Sequence, residues 1–277
     1  MSSLIKSNGT WATCSNNTSK QCAGYNSTHG ADCYKTASLL LDAYEMTKDM
    51  HIRRYGAHGT SHKYVAIEMC KILGKTEGTK IVTCHIGNGS SISAVKDGMC
   101  VDTSMGFTPL DGFMMGTRTG GMDPSVVTYV MEKEGLTPKQ MDDLMNKKSG
   151  TLGVSGVSSD DRDIEKAISE GNERAKLAWD MRTYQITKII GGYIAALGGL
   201  DALVFTAGIG ENQPLVRKEI IDALGYMGMK CDAEANNVRG VERLITTEDS
   251  AIPAWIIPTN EELMIAQDTA ELVKAAK

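Results

Sequence analysis

Three short strand-like runs stand back to back between Lys80 and Thr103, and they constrain the fold more than any other stretch. They are Lys80 to His85, Ser91 to Val95 and Met99 to Thr103, separated by Gly87-Asn88-Gly89 and Asp97-Gly98. Such turn pairs reverse the chain tightly, so the runs predict an antiparallel meander. Further on, apolar strand runs at Asp201 to Thr206 and Ala254 to Ile257 alternate with helical patterns. Continuous apolar strands are buried on both faces. A meander followed by strand–helix units predicts an α/β fold around a mixed sheet.

Helix punctuation is clear in several places. Val65, Met69, Ile72 and Leu73 repeat at helical spacing and Gly74 ends the run. Asp123-Pro124 reads as a cap with a first-turn proline, closed by Gly135. Thr137 and Gln140 have the spacing of a capping box. A long helix is predicted over Asn172 to Leu197, with Gly191-Gly192 allowing a kink or close packing. Asn212 to Leu224 reads as one helix stopping at Gly225, and Thr259 to Val273 as the last.

Residues 1–36 are rich in Ser, Thr, Asn and Gly and have no period, and are expected to be disordered or loosely packed. Residues 37–277 form the globular region. The 277 residues suffice for a sizeable core. With a formal net charge of −5 and no basic run, nucleic acid and anionic membrane are not expected partners. No apolar run reaches the ~20 residues of a membrane span, and no signal-peptide core is visible. Seven cysteines without a Cys-x-x-Cys pair suggest reduced thiols in a cytoplasmic protein.

Two glycine-containing loops follow strand runs. One is His85-Ile86-Gly87-Asn88-Gly89-Ser90-Ser91, the other Thr206-Ala207-Gly208-Ile209-Gly210-Glu211-Asn212. Glycine allows backbone N–H groups to converge on phosphate oxygens. Each alone is better read as an ordinary hairpin or strand–helix turn, but two such loops at strand ends point to a nucleotide at a sheet edge. Arg118 sits within Gly116-Thr117-Arg118-Thr119-Gly120-Gly121, where it could reach a transferring phosphoryl group or simply be solvated. In His58-Gly59-Thr60-Ser61-His62, Thr60 or Ser61 could cap a helix and leave His58 free to meet an oxyanion. No third ligand at a fitting spacing supports zinc there. Thr259 and Glu262 have capping-box spacing, leaving Glu261 either to hold Mg²⁺ or to complement the helix dipole. Asp160-Asp161-Arg162-Asp163 is either a solvated cap or a clamp on a nucleoside.

Taken together, these stretches resemble the acetate kinase family. The resemblance is carried by Arg53 to Tyr64, Cys84 to Ser91, Thr103 to Leu110, Met115 to Arg118, Asn146 to Gly150, Phe205 to Asn212 and Ile257 to Leu263. It runs from about Leu39 to the end. It implies an actin-like ATPase domain of ribonuclease-H-like topology, and reversible Mg²⁺-dependent phosphoryl transfer between ATP and acetate or a similar short carboxylate. It implies that His58 and Arg118 contact the transferring group. His85, Ile86, Gly87, Asn88 and Gly89 then form a phosphate loop. Asp160, Asp161, Arg162, Gly208, Ile209, Gly210, Glu211 and Asn212 contact ATP or ADP, and Glu261 associates with magnesium. Family members are usually homodimers.

Departures accompany the likeness. The family's Asn-x-Gly-Ser-Ser-Ser loop, its His-Arg-x-x-His-Gly acid-pocket motif and its Asp-Thr-Ala-Phe-His aspartate motif have no counterpart here. Ala57 stands where phenylalanine is usual, and Gly121-Met122 differs mildly. Residues 1–36 match nothing in the family pattern. Weak or absent turnover, with retained ATP affinity, is therefore expected of this chain.

Overall fold

A computed structural model describes residues 54–276. The expectations for residues 1–36 lie outside the described residues, as does Arg53.

The chain order is α1 (Gly59–Leu73), β1 (Lys80–His85), β2 (Ser91–Lys96), β3 (Met99–Thr103), α2 (Pro124–Glu134), α3 (Pro138–Lys147), α4 (Gly150–Ser155), α5 (Asp161–Ser169) and α6 (Glu173–Leu197). Then come β4 (Ala202–Thr206), α7 (Ala207–Asn212), α8 (Pro214–Ala223), α9 (Ala233–Asn236), β5 (Arg243–Leu244), β6 (Ala254–Ile256) and α10 (Glu261–Ala275). One sheet runs β3-β2-β1-β4-β6-β5. The meander β1-β2-β3 is antiparallel, β4 and β6 continue parallel to β1, and β5 closes the edge antiparallel. The mixed sheet is the one expected from sequence. At the β2–β3 turn Asp97 and Gly98 have φ of 52° and 73°, as a tight hairpin of the favoured twist requires.

The two sheet faces bury different things. Val82, Cys84, Ile92, Ala94, Leu203, Phe205 and Ile256 face a large core with α6 and α8. The alternate residues Ile81, Val95, Ala202 and Val204 face α1 through Val65, Ala66 and Met69. Side chains alternate along a strand, so Thr83 and His85 share the α1 face with Ile81. In register beside them on β2 stand Ser93 and Ser91. That face is apolar at one end and turns to hydroxyls and imidazoles at the other. α1 follows the same gradient, from Met69 through Val65 to His62 and Ser61.

Several helix boundaries match their chemistry. Asp123 accepts from Ser125 N, and Thr137 and Gln140 form the reciprocal capping box. Gly74 and Gly135 end their helices in the left-handed conformation. Four expectations need correction. α1 starts at Gly59, so Thr60 and Ser61 lie inside it and neither caps it. The chain from Ala207 to Ala223 forms two helices broken at Gln213, because Pro214 opens a new first turn. Asn260 rather than Thr259 caps α10, accepting from Leu263 N, so no Thr259–Glu262 box forms. α6 is continuous through Gly191-Gly192, and nothing lies within 4 Å of a Cβ at either, so they mediate no close packing. β5, α4 and α9 were not foreseen; each is shorter than a period can reveal. Among the described residues no helix is long and apolar enough to cross a membrane.

Candidate active site

β1 and β4 are parallel neighbours that end together, with His85 opposite Thr206. The two glycine loops therefore leave the same sheet edge, at the carboxyl ends of adjacent strands, where α/β sheets bind ligands. Their backbones are tied. Ile86 N donates to Thr206 O, and Ile209 N and Gly210 N both donate to Ile86 O. This corrects the picture of two open amide cradles. The second loop is helix α7, and the amides of Ile209 and Gly210 are spent on its neighbour. In the first loop Gly87 N engages Ser90 Oγ, and Asn88 and Gly89 donate to no protein group among the described residues.

Two residues converge on Gly89. A Cβ built there would stand 3.3 Å from an Arg118 terminal nitrogen and 3.6 Å from His58 Nε2. Asn88 lies against Gly116, where a Cβ would fall 2.2 Å from Asn88 Oδ1 and 3.3 Å from Ser159. The loop of Arg118 is itself pinned. Met115 N donates to Arg118 O, Ser149 N to Thr117 O, Thr151 N to Met115 O and Leu152 N to Gly116 O. Gly150, with φ 63°, would place a Cβ 2.2 Å from Met115 O and 2.8 Å from Arg118 N, so only glycine fits beneath this loop.

His58 occupies the N-cap position of α1 at φ 58° and ψ 26°, unusual for a residue with a side chain. Ala207, directly after β4, has φ 66°. Both strained residues border the site, as conformational strain often does. His58 Nδ1 pairs with Ser91 Oγ at 2.8 Å, which also meets His62 Nε2 at 2.7 Å. His62 Nδ1 pairs with Thr83 Oγ1 at 2.7 Å. His85 stacks on His58 with ring centroids 3.9 Å apart, its Nδ1 2.8 Å from Ser61 Oγ. Burial, then the Arg118 charge, lowers the His58 pKa to about 4. Burial, then His58, lowers His85 to about 3, and burial first of all holds His62 well below its usual value. All three rings are neutral at pH 7. They can hydrogen-bond an anion but bring no positive charge; Arg118 supplies that.

The remaining predicted residues have mixed placements. Glu211 Oε1 accepts from Ala207 N at 2.7 Å and Thr259 N at 3.1 Å, fastening α7 to the segment before α10. Asn212 Nδ2 donates to Gly208 O. Gly208 is exposed. Asp160 caps α5 and pairs with the exposed Arg162. Asp161 points inward to a buried two-pronged pair with Arg182, at 2.5 and 2.8 Å. Glu261 is exposed in the first turn of α10, two residues from Thr259, which bonds Ser61 Oγ. Among the described residues no group of three His, Cys, Asp or Glu could cage a metal. A single carboxylate suits Mg²⁺, which keeps waters and shares phosphate oxygens. Thr83, Ser61 and Thr259 were missed from sequence. The available signal was Thr83 and Ser93 interrupting otherwise apolar strand faces.

The family model described as the acetokinase family matches residues 18–267, starting ahead of the boundary at residue 37. The acetate kinase of Caldanaerobacter subterraneus subsp. tengcongensis is 58% identical over 236 residues, covering 84% of this chain and 59% of that protein. The crystal structure of Porphyromonas gingivalis acetate kinase superposes with a TM-score of 0.81 at 49% identity, covering 85% of this chain and 59% of that one. A propionate kinase from Francisella tularensis subsp. tularensis SCHU S4 superposes with a TM-score of 0.76 at 44% identity, covering 81% and 57%. The chain thus spans about 59% of the length of that curated relative. With the site geometry, the shared fold and the matched residues in agreement, the chain belongs to the acetokinase family.

Proposed function

We propose that the chain is a cytoplasmic acetate kinase, transferring phosphate reversibly between ATP and acetate to give acetyl phosphate and ADP. The observation that carries this reading is the meeting of His58 Nε2 and the Arg118 guanidinium at Gly89, in the loop whose Asn88 and Gly89 amides no protein group among the described residues takes up. Phosphoryl transfer needs donors placed where charge spreads over the equatorial oxygens, and little covalent help. Here Arg118 provides charge, His58 a neutral hydrogen bond and the loop its amides. Gly208, Asp160 and Arg162 would border the nucleotide. Asp161 and Glu211 would act by holding α5 and α7 in place. Glu261 would help hold Mg²⁺, which supplies charge neutralisation on the phosphates. Two copies would pair through exposed apolar residues such as Leu177 and Tyr184 of α6.

A second reading is nucleotide binding with weak turnover, since Arg118, His58 and the loop amides account for phosphate contact alone. A hydroxamate assay for acetyl phosphate, run beside ADP calorimetry, separates the two. Gly89→Ala keeps ordinary backbone geometry but fills the point of convergence. It should cut turnover or nucleotide affinity at least about tenfold, the lower range for losing an oxyanion donor. Stability should change by under about 1 kcal/mol. Unchanged affinity and turnover would overturn both readings. Propionate and butyrate as alternative acceptors would settle acid preference.

A further inference from the structure

We propose that Thr83, His62 and Ser91 form a hydrogen-bond chain that fixes His58 with its proton on Nε2, making it a donor toward the site. The inference deepens the kinase reading and rests on it for what the ring faces. The chain is continuous: Thr83 Oγ1 to His62 Nδ1 at 2.7 Å, His62 Nε2 to Ser91 Oγ at 2.7 Å, Ser91 Oγ to His58 Nδ1 at 2.8 Å. Thr83, His62 and Ser91 are all 0–1% exposed, so water cannot substitute for any link.

A neutral imidazole has one donor and one acceptor nitrogen, so its two bonds have opposite polarity. A hydroxyl donates once but can accept twice, so three arrangements fit the chain: outward, inward, or both rings donating to Ser91. If it runs outward from Thr83, the hydroxyl proton of Thr83 goes to His62 Nδ1. His62 then donates through Nε2 to Ser91, Ser91 donates to His58 Nδ1, and His58 Nε2 carries the remaining proton. If it runs inward, both rings carry the proton on Nδ1. The hydroxyl proton of Thr83 is then left with the Ser93 carbonyl at 3.5 Å, the outer limit of a hydrogen bond. If both rings donate to Ser91, its own proton is left with the Ala57 carbonyl, also at 3.5 Å. Only the outward direction gives both hydroxyl protons a short bond. It also gives His58 an N–H beside Gly89, where an anionic oxygen can accept it. Either other arrangement would aim a lone pair there. His62 is thus a positioning residue, acting on the site through Ser91 in the way outer partners orient metal-bound histidines.

Two-bond ¹⁵N–¹H spectra of the histidine side chains in the intact chain at pH 7.5 read the proton positions directly. His58 and His62 should both show a pyridine-like Nδ1 and a pyrrole-like Nε2. Thr83→Asn reverses the polarity: its amide nitrogen faces the Ser93 carbonyl and its oxygen accepts from His62 Nδ1. Both rings should then exchange the two signatures. Thr83→Val removes the donor at nearly equal volume, and His62 should show a mixture. A wild-type His58 with its proton on Nδ1 overturns the proposal. So does a folded Thr83→Asn, or Thr83→Val should Asn fail to fold, whose His58 and His62 spectra match the wild type. The readout is independent of turnover. A chain that makes no acetyl phosphate yet shows these tautomers sinks the kinase reading and leaves the relay standing.

Discussion

Replacing Asp161 by Asn should destabilise the fold without acting directly on a nucleotide. The carboxylate and Arg182 are 4% and 3% exposed and share two bonds of 2.5 and 2.8 Å. Removing one member leaves the other charge buried, which costs about 3–5 kcal/mol. For an ordered body of this size each kcal/mol lowers Tm by about 2–4 °C, so the drop should be about 6–20 °C. The pair joins the first turn of α5 to the middle of α6, and Arg182 also lies 5.2 Å over the Trp179 ring. Among the described residues Arg182 Nε finds no partner, so the pair is not fully satisfied even when intact. A double variant, Asp161→Leu with Arg182→Met, removes both charges and keeps apolar bulk against Trp179. It should be more stable than either single change, since exchange of a buried pair for packed hydrophobes is often neutral or better. Thermal melts by circular dichroism, combined as a double-mutant cycle, test this. Additive effects, or a single-variant loss below about 0.5 kcal/mol, would refute it. So would loss of ADP affinity at unchanged Tm, which would make Asp161 a ligand after all.

Two further outcomes are expected. Gly150→Ala forces a Cβ to within 2.2 Å of Met115 O at a φ of 63°, so Tm should fall and the Arg118 loop should move; a melt within 1 °C of wild type would refute the close approach. The neutral histidines make the fold acid-labile. The unfolded chain binds protons below about 6.5, while folded His58 and His85 resist them down to about 4 and about 3. Stability is therefore full above pH 6.5 and falls as pH drops from 6.5 toward 4, by at most about 1.4 kcal/mol per unit for each ring. Denaturant titrations at pH 7.5, 6 and 5 should show this slope, shallower in His58→Gln. A flat profile would contradict neutral burial.

The sequence was readable where local chemistry decides. Strand runs between Asn-Gly and Asp-Gly turns gave the meander almost to the residue, and Asp123, Thr137 and Gln140 cap where their side chains say they should. It misled where a distant partner outbids a local one. Ser61 looked like a cap, but its hydroxyl is taken by His85 from β1 and Thr259 from before α10. Thr259 itself is drawn off by Ser61 and Glu211, so Asn260 becomes the cap. Asp161 looked solvated within an acidic cluster, yet its partner is 21 residues away on another helix. The site residues His58, Gly89 and Arg118 were named from sequence, while Ser91, which links His58 to His62, and Thr83, which holds His62, take on those roles only once the strand register sets them side by side.

The α1-facing side of β1 and β2 changes from grease to chemistry within a few residues. Met69 and His62 are seven positions apart on α1, about 10 Å along the axis. Repacking Ile81 or Val95 at the oily end would tilt the rod that carries the imidazoles at the other. Thermal hardening and reactivity in this protein are consequently not separate engineering problems: a bulkier residue beneath Met69 works as a lever on His58.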